Sequence, residues 1–207
     1  MDYDTRSGLR ELAEAQGVGL QMLSSGQYWL SNRKFAARKM SVVAMDIADA
    51  DRIAAIWIAR HSCRHQQRTF VCTYAKDNDE WQPIAANNVP VEAGFLQDRG
   101  VRAISGPASL LVLEGSGGSL TGHSEIDPAW VGYQLIHAAS EVSCLRIGQR
   151  VIDVPDHGHV IVVWKTAAGR GRPYGRPQIA AHASDGVQLT SLDTDGFIDS
   201  AVWDASL

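Results

Sequence analysis

The chain has 207 residues, 45% of them hydrophobic and 20% charged, with a formal net charge of −4 and a pI near 5.9. A chain of this length buries about 70% of the surface its unfolded form exposes, so a core can form without disulfide or metal staples. The ordinary composition argues against disorder, and the negative charge argues against a general nucleic-acid or anionic-membrane binder, both of which need a positive field.

Residues 5–16 read as a helix, with Leu9, Leu12 and Ala13 on one face at i, i+3, i+4 spacing, Ser7 as a cap and Gly17 as a stop. Residues 18–40 combine Arg33, Lys34, Arg38 and Lys39 with Tyr28, Trp29, Leu30 and Phe35. Together, residues 1–40 form a helical or irregular N-terminal arm. From residue 41 the chain turns β-rich. Residues 42–45, 53–59, 69–75 and a run opening at 81–84 read as strands, with aspartate-rich turns at 46–51 and 77–79. Length and β-branched content favour a strand for 53–59 over a helix.

Residues 87–128 read as a Gly/Pro-rich crossover holding one strand, 109–114. Strands then resume at 130–137, 142–147, 151–154, 159–165, 178–183 and 187–190. Gly148, the Pro155-Asp156-His157-Gly158 run and the Asp185-Gly186 pair mark turns between them. The reading is an all-β, mainly antiparallel, sandwich-like domain over 41–207, with sheet halves 41–86 and 129–207, behind the short helical arm. Aligning Trp57 with Trp164 also matches Asp49 to Asp156 and, after a one-residue gap, Arg68 to Arg176 and Asp77 to Asp185, a hint of internal duplication.

Cys63, Cys72 and Cys144 form no CxxC pair and read as free thiols of a reducing, cytoplasmic setting. The N-terminus lacks the pattern of a signal peptide, and no apolar run approaches the ~20 residues of a spanning helix.

Five stretches invite chemistry. His61, Cys63 and His65 stand at i, i+2, i+4, one face of an extended strand, and are zinc-ligand types. His157-Gly158-His159 gives an H-x-H pair; cupins follow such a pair with a glutamate, where this chain has Ile161, Val162, Val163 and Trp164. That departure removes the family's metal triad and favours a turn entering a buried strand. Gly115-Ser116-Gly117-Gly118 lacks the Lys-Ser/Thr of a phosphate loop and reads as a connector. Gly122-His123-Ser124-Glu125-Ile126 misses the last glycine of a nucleophile elbow. Arg170, Arg172, Tyr174 and Arg176 crowd a Gly/Pro-rich loop whose guanidinium groups suit an anionic protein or small ligand.

With no catalytic motif intact and no cofactor expected, the leading functional reading is a non-catalytic binding module using the arginine loop. The alternative is a metal-dependent or hydrolytic enzyme using His61, Cys63, His65, His157 and His159.

Overall fold

The computed structural model describes residues 3–26, 40–60, 68–90, 110–121, 129–169, 172–173 and 176–192. Helix α1 spans Tyr3–Ser25. It is followed by β1 (Met40–Ala48), β2 (Ile53–Arg60), β3 (Arg68–Asp77), β4 (Glu80–Val89), β5 (Leu111–Thr121) and β6 (Ala129–Ala138). Then come β7 (Cys144–Ile147), β8 (Arg150–Asp153), β9 (His159–Gly169), the two-residue β10 (Arg172–Pro173), β11 (Ile179–His182) and β12 (Gln188–Leu192). The strands form three sheets, ordered β1-β2-β3-β4, β10-β9-β6-β5 and β12-β11-β7-β8, and every pairing is antiparallel.

Three apolar clusters show how the layers stack. Ala15 and Leu23 of α1 bury against Ile56, Ile58, Phe70 and Tyr74 of the first sheet. The opposite face of that sheet, with Ala55, Trp57 and Val71, meets Val131, Tyr133, Leu135, Ile161 and Val163 of the second. The far face of the second sheet, with Ile136, Val160 and Val162, meets Leu145, Ile179 and Ala181 of the third. The fold is all-β and sandwich-like with one helix outside it. Strands β2 and β9 are covered on both faces, which explains why residues 53–59 and 160–164 are continuous apolar runs rather than alternating ones.

Several expectations need correction. The helix continues eight residues past Gly17. Tyr74 lies directly over Gly19, where a Cβ would strike its hydroxyl, and that hydroxyl donates to the Gln16 carbonyl at 2.9 Å. Docking on the sheet outweighs the roughly 1 kcal/mol that a glycine costs a helix. The supposed connector Gly115–Gly118 is the middle of β5, with the Tyr133 ring over Gly117 and the Trp130 ring over Gly118. These rings fill the space that side chains would otherwise occupy. The duplication hint meets a difference in pairing: β2 and β3 are partners, whereas β9 and β11 lie in different sheets.

Glu11 helps seat α1. Its carboxylate meets Arg60 at 2.6 Å and Arg68 at 3.1 Å, and those two arginines are direct cross-strand partners on β2 and β3. The acid therefore relieves a like-charge pair. The Arg60 contact is ionic rather than a well-aligned hydrogen bond.

Asp46, expected in a turn, lies instead inside β1 and is buried. Its Oδ2 accepts from the Val163 amide at 2.7 Å and meets Arg150 Nη2 at 3.1 Å, and the same Nη2 donates to the Val163 carbonyl at 2.6 Å. The N–H and C=O of one strand residue point to the same side, so an acid and a base together cover this length of β9's edge. One carboxylate thus joins β1, β8 and β9, one strand from each sheet. Burial pushes the Asp46 carboxyl up to about 6, against the opposing pull of Arg150 and of the Val163 and Ile47 amides.

Candidate metal centre

β5, β6 and β9 are adjacent in the second sheet, and their shared end carries Glu114, His137 and His159. The two histidines are direct cross-strand partners, so their side chains leave the same face. On β6 that face also carries Val131, Tyr133 and Leu135, and on β9 Ile161 and Val163, all directed at the first sheet.

Glu114 reaches them from the neighbouring strand, at a backbone irregularity. Leu113 partners Ile136, but Gly115 partners Leu135, so Glu114 is the extra residue of a β-bulge. Without the bulge, strict alternation would send residues 114 and 115 to opposite faces. With it, Gly115 joins Glu114 on the histidine side, which alternation from Val112, the residue across from His137, already gives to Glu114.

The donor atoms converge. His159 Nδ1 lies 3.0 Å from Glu114 Oε2, His137 Nδ1 lies 3.9 Å from Glu114 Oε1, and one ligand atom from each residue falls within 4.8 Å of the others. In a tetrahedral zinc site with bonds near 2.05 Å, ligand atoms stand about 3.3 Å apart. The observed separations bracket that figure. The imidazoles stack at 4.3 Å with 21° between planes.

The surroundings are graded. The His159 side chain is 4% exposed, while Glu114 and His137 are 23% and 26% exposed. Trp57 from the first sheet meets the His159 ring edge-on at 5.6 Å and forms the floor. Glu114 and His137 form the solvent-facing side of the group.

The loop before β9 is fitted to the site. Gly158 has φ +76°, and a Cβ there would meet the Ala138 carbonyl at 2.6 Å and the His137 ring at 2.9 Å. Its own carbonyl accepts from the Ala138 amide at 2.8 Å. The glycine is required twice, by its left-handed backbone and by the ring beside it. His157 sits next in line, its ring stacked at 5.7 Å on His159 and its Nδ1 accepting from the His159 amide at 3.1 Å.

Of the residues expected from sequence, His159 is central and His157 adjoins the site. The sequence reading missed Glu114 and His137. His61, Cys63 and His65 lie outside the described residues, as do Arg170 and Tyr174. Arg172 contributes backbone to β10, and the Arg176 guanidinium lies 5.9 Å over the Trp164 ring. The Cys72 thiol is buried and pushed up to about 11 by that burial, which the neighbouring Tyr74 only partly offsets, so it is not a reactive nucleophile.

Comparison with protein-family models finds no match, and neither curated proteins nor solved structures yield one.

Proposed function

We propose that this chain is a metal-binding β protein whose Glu114, His137 and His159 hold a divalent first-row transition metal. The carrying observation is the convergence of two imidazoles and one carboxylate from three neighbouring strands within 4.8 Å. Two histidines and a carboxylate are a donor set for zinc and for non-haem iron(II). Imidazole excludes a preference for calcium or magnesium, which take oxygen ligands.

Among the described residues three protein ligands converge, a number that would leave a coordination position open. Structural zinc sites are closed by four, whereas reactive sites keep a place for water or substrate. The solvent-facing side between Glu114 and His137 supplies that place. The reading is therefore a metal-dependent enzyme or a metal-mediated ligand binder rather than a zinc-stapled scaffold. A carboxylate–histidine general base without metal is less well supported, because the His159 ring that Glu114 orients is 4% exposed and sits over Trp57.

The test is elemental analysis of purified, tag-free protein after metal loading and dialysis, with Glu114→Gln in parallel. About one equivalent of zinc, iron or manganese in the wild type and much less in the variant is expected. Equal metal content in both, or none in either, would exclude this centre.

A further inference from the structure

The metal-centre reading leaves one buried polar residue of the same strands without a purpose. Gln134 of β6 is 3% exposed, on a strand whose even-numbered neighbours Ile136 and Ala138 belong to the apolar cluster between the second and third sheets. An amide in such a layer is costly unless its hydrogen bonds are met. Gln134 Nε2 donates to the Gly115 carbonyl at 2.6 Å and to the Leu135 carbonyl at 3.2 Å. Both partners are carbonyls, which only accept, so the chemistry fixes the amide's orientation with its nitrogen toward them.

Gly115 is the residue that closes the bulge, and Leu135 is its cross-strand partner. Gln134 therefore grips the bulge from the rear face of the sheet, while Glu114 projects from the front. A bulge interrupts the ladder and leaves local main chain short of partners. The Gln134 amide supplies a donor there, at the residue next to Glu114.

We infer that Gln134 is a positioning residue for the metal centre, holding the main chain of the β5 bulge from which Glu114 reaches His137 and His159. The inference rests on the metal-centre reading and adds a residue that touches no ligand atom. Outer partners of this kind govern metal affinity because they set ligand orientation. Without the rear grip, the main chain at the bulge is free to shift, and the carboxylate beside it is the ligand displaced.

The test is a cobalt(II) titration of the full chain, read by visible absorption and by competition with a chromophoric chelator. The wild type is compared with Gln134→Leu and Glu114→Gln. Gln134→Leu keeps the side chain's approximate size and removes the donor. Its affinity is expected to fall roughly 10- to 100-fold. Its cobalt spectrum is expected to match that of Glu114→Gln, the signature of a lost carboxylate rather than of general loosening. Wild-type affinity and spectrum in a folded Gln134→Leu protein would overturn the inference while leaving the metal centre standing, even if its melting temperature dropped. If Gln134→Leu does not fold, Gln134→Asn retains an amide one methylene too short to reach Gly115, and the same two changes are expected of it. Absence of cobalt binding in the wild type would remove the metal centre and this role together.

Discussion

Two carboxylates, Asp46 and Glu114, are placed on facing sheets and solved in opposite ways. Asp46 is surrounded by donors: a main-chain amide and a guanidinium. Its negative charge is already spent on neighbours that cannot leave. Glu114 faces two imidazoles whose ring nitrogens present either a proton or a lone pair. A cation can replace those protons at Glu114 but has no comparable opening at Asp46. Burial agrees with this division, since the Asp46 side chain is 4% exposed and Glu114 23%. In the proposed centre Glu114 is a ligand, whereas Asp46 ties strands together.

The comparison breaks most sharply at Arg150. Replacing it by methionine strips Asp46 of its counter-charge and Val163 of a donor. Removing one member of a buried pair costs about 3–5 kcal/mol. Urea denaturation at pH 8 should show a loss of that order for Arg150→Met, with cobalt affinity per folded molecule unchanged. A normal midpoint would mean the carboxylate is wetter than its position implies.

Acid sharpens the same contrast. The Asp46 carboxyl is raised from 3.8 to about 6 in the folded chain. Between those values the folded state holds a proton that the unfolded state has released. The group's contribution to stability is full below 3.8 and is lost as pH rises through 6. Its span is roughly 3 kcal/mol, at 1.36 kcal/mol per pH unit. Subtracting the pH–stability curve of Asp46→Asn from that of the wild type should isolate a difference favouring the wild type as pH falls from 7 to 4. A flat difference would assign the carboxyl an ordinary titration.

The smallest effect belongs to the turn. Gly158→Ala forces a Cβ into left-handed backbone, at about 1–2 kcal/mol, and against the His137 ring. Thermal unfolding should register the first cost and metal titration the second. A variant that melts lower yet binds cobalt as the wild type does would show that His137 need not stay where Gly158 seats it.

How much of this was legible beforehand follows from the range of each interaction. The apolar runs of β2 and β9 announced strands because both are buried on two faces. The Asp185-Gly186 pair announced the β11–β12 hairpin, whose pairing is observed from Ile179 to Leu192. Local rules failed where a distant ring answered a glycine: Tyr74 over Gly19, and Trp130 and Tyr133 over Gly118 and Gly117. The site was half legible. His157-Gly158-His159 stood out as a pair, but the carboxylate sought just downstream comes from 45 residues upstream. It comes from a different strand, at a one-residue bulge that the sequence does not mark. His137 becomes a partner of His159 only through strand register, and it had been read as the last residue of a strand. The three aspartates clustered at 46–51 point to a turn, although the first belongs to the strand before it.

The most direct measurement is a zinc titration of the wild type and His159→Ala by isothermal calorimetry, with circular dichroism confirming that both are folded. A metal centre at Glu114, His137 and His159 requires one site in the wild type and a loss of about 100-fold or more in the variant, where one of three ligands is missing. Equal affinities, or no heat from either protein, would contradict it.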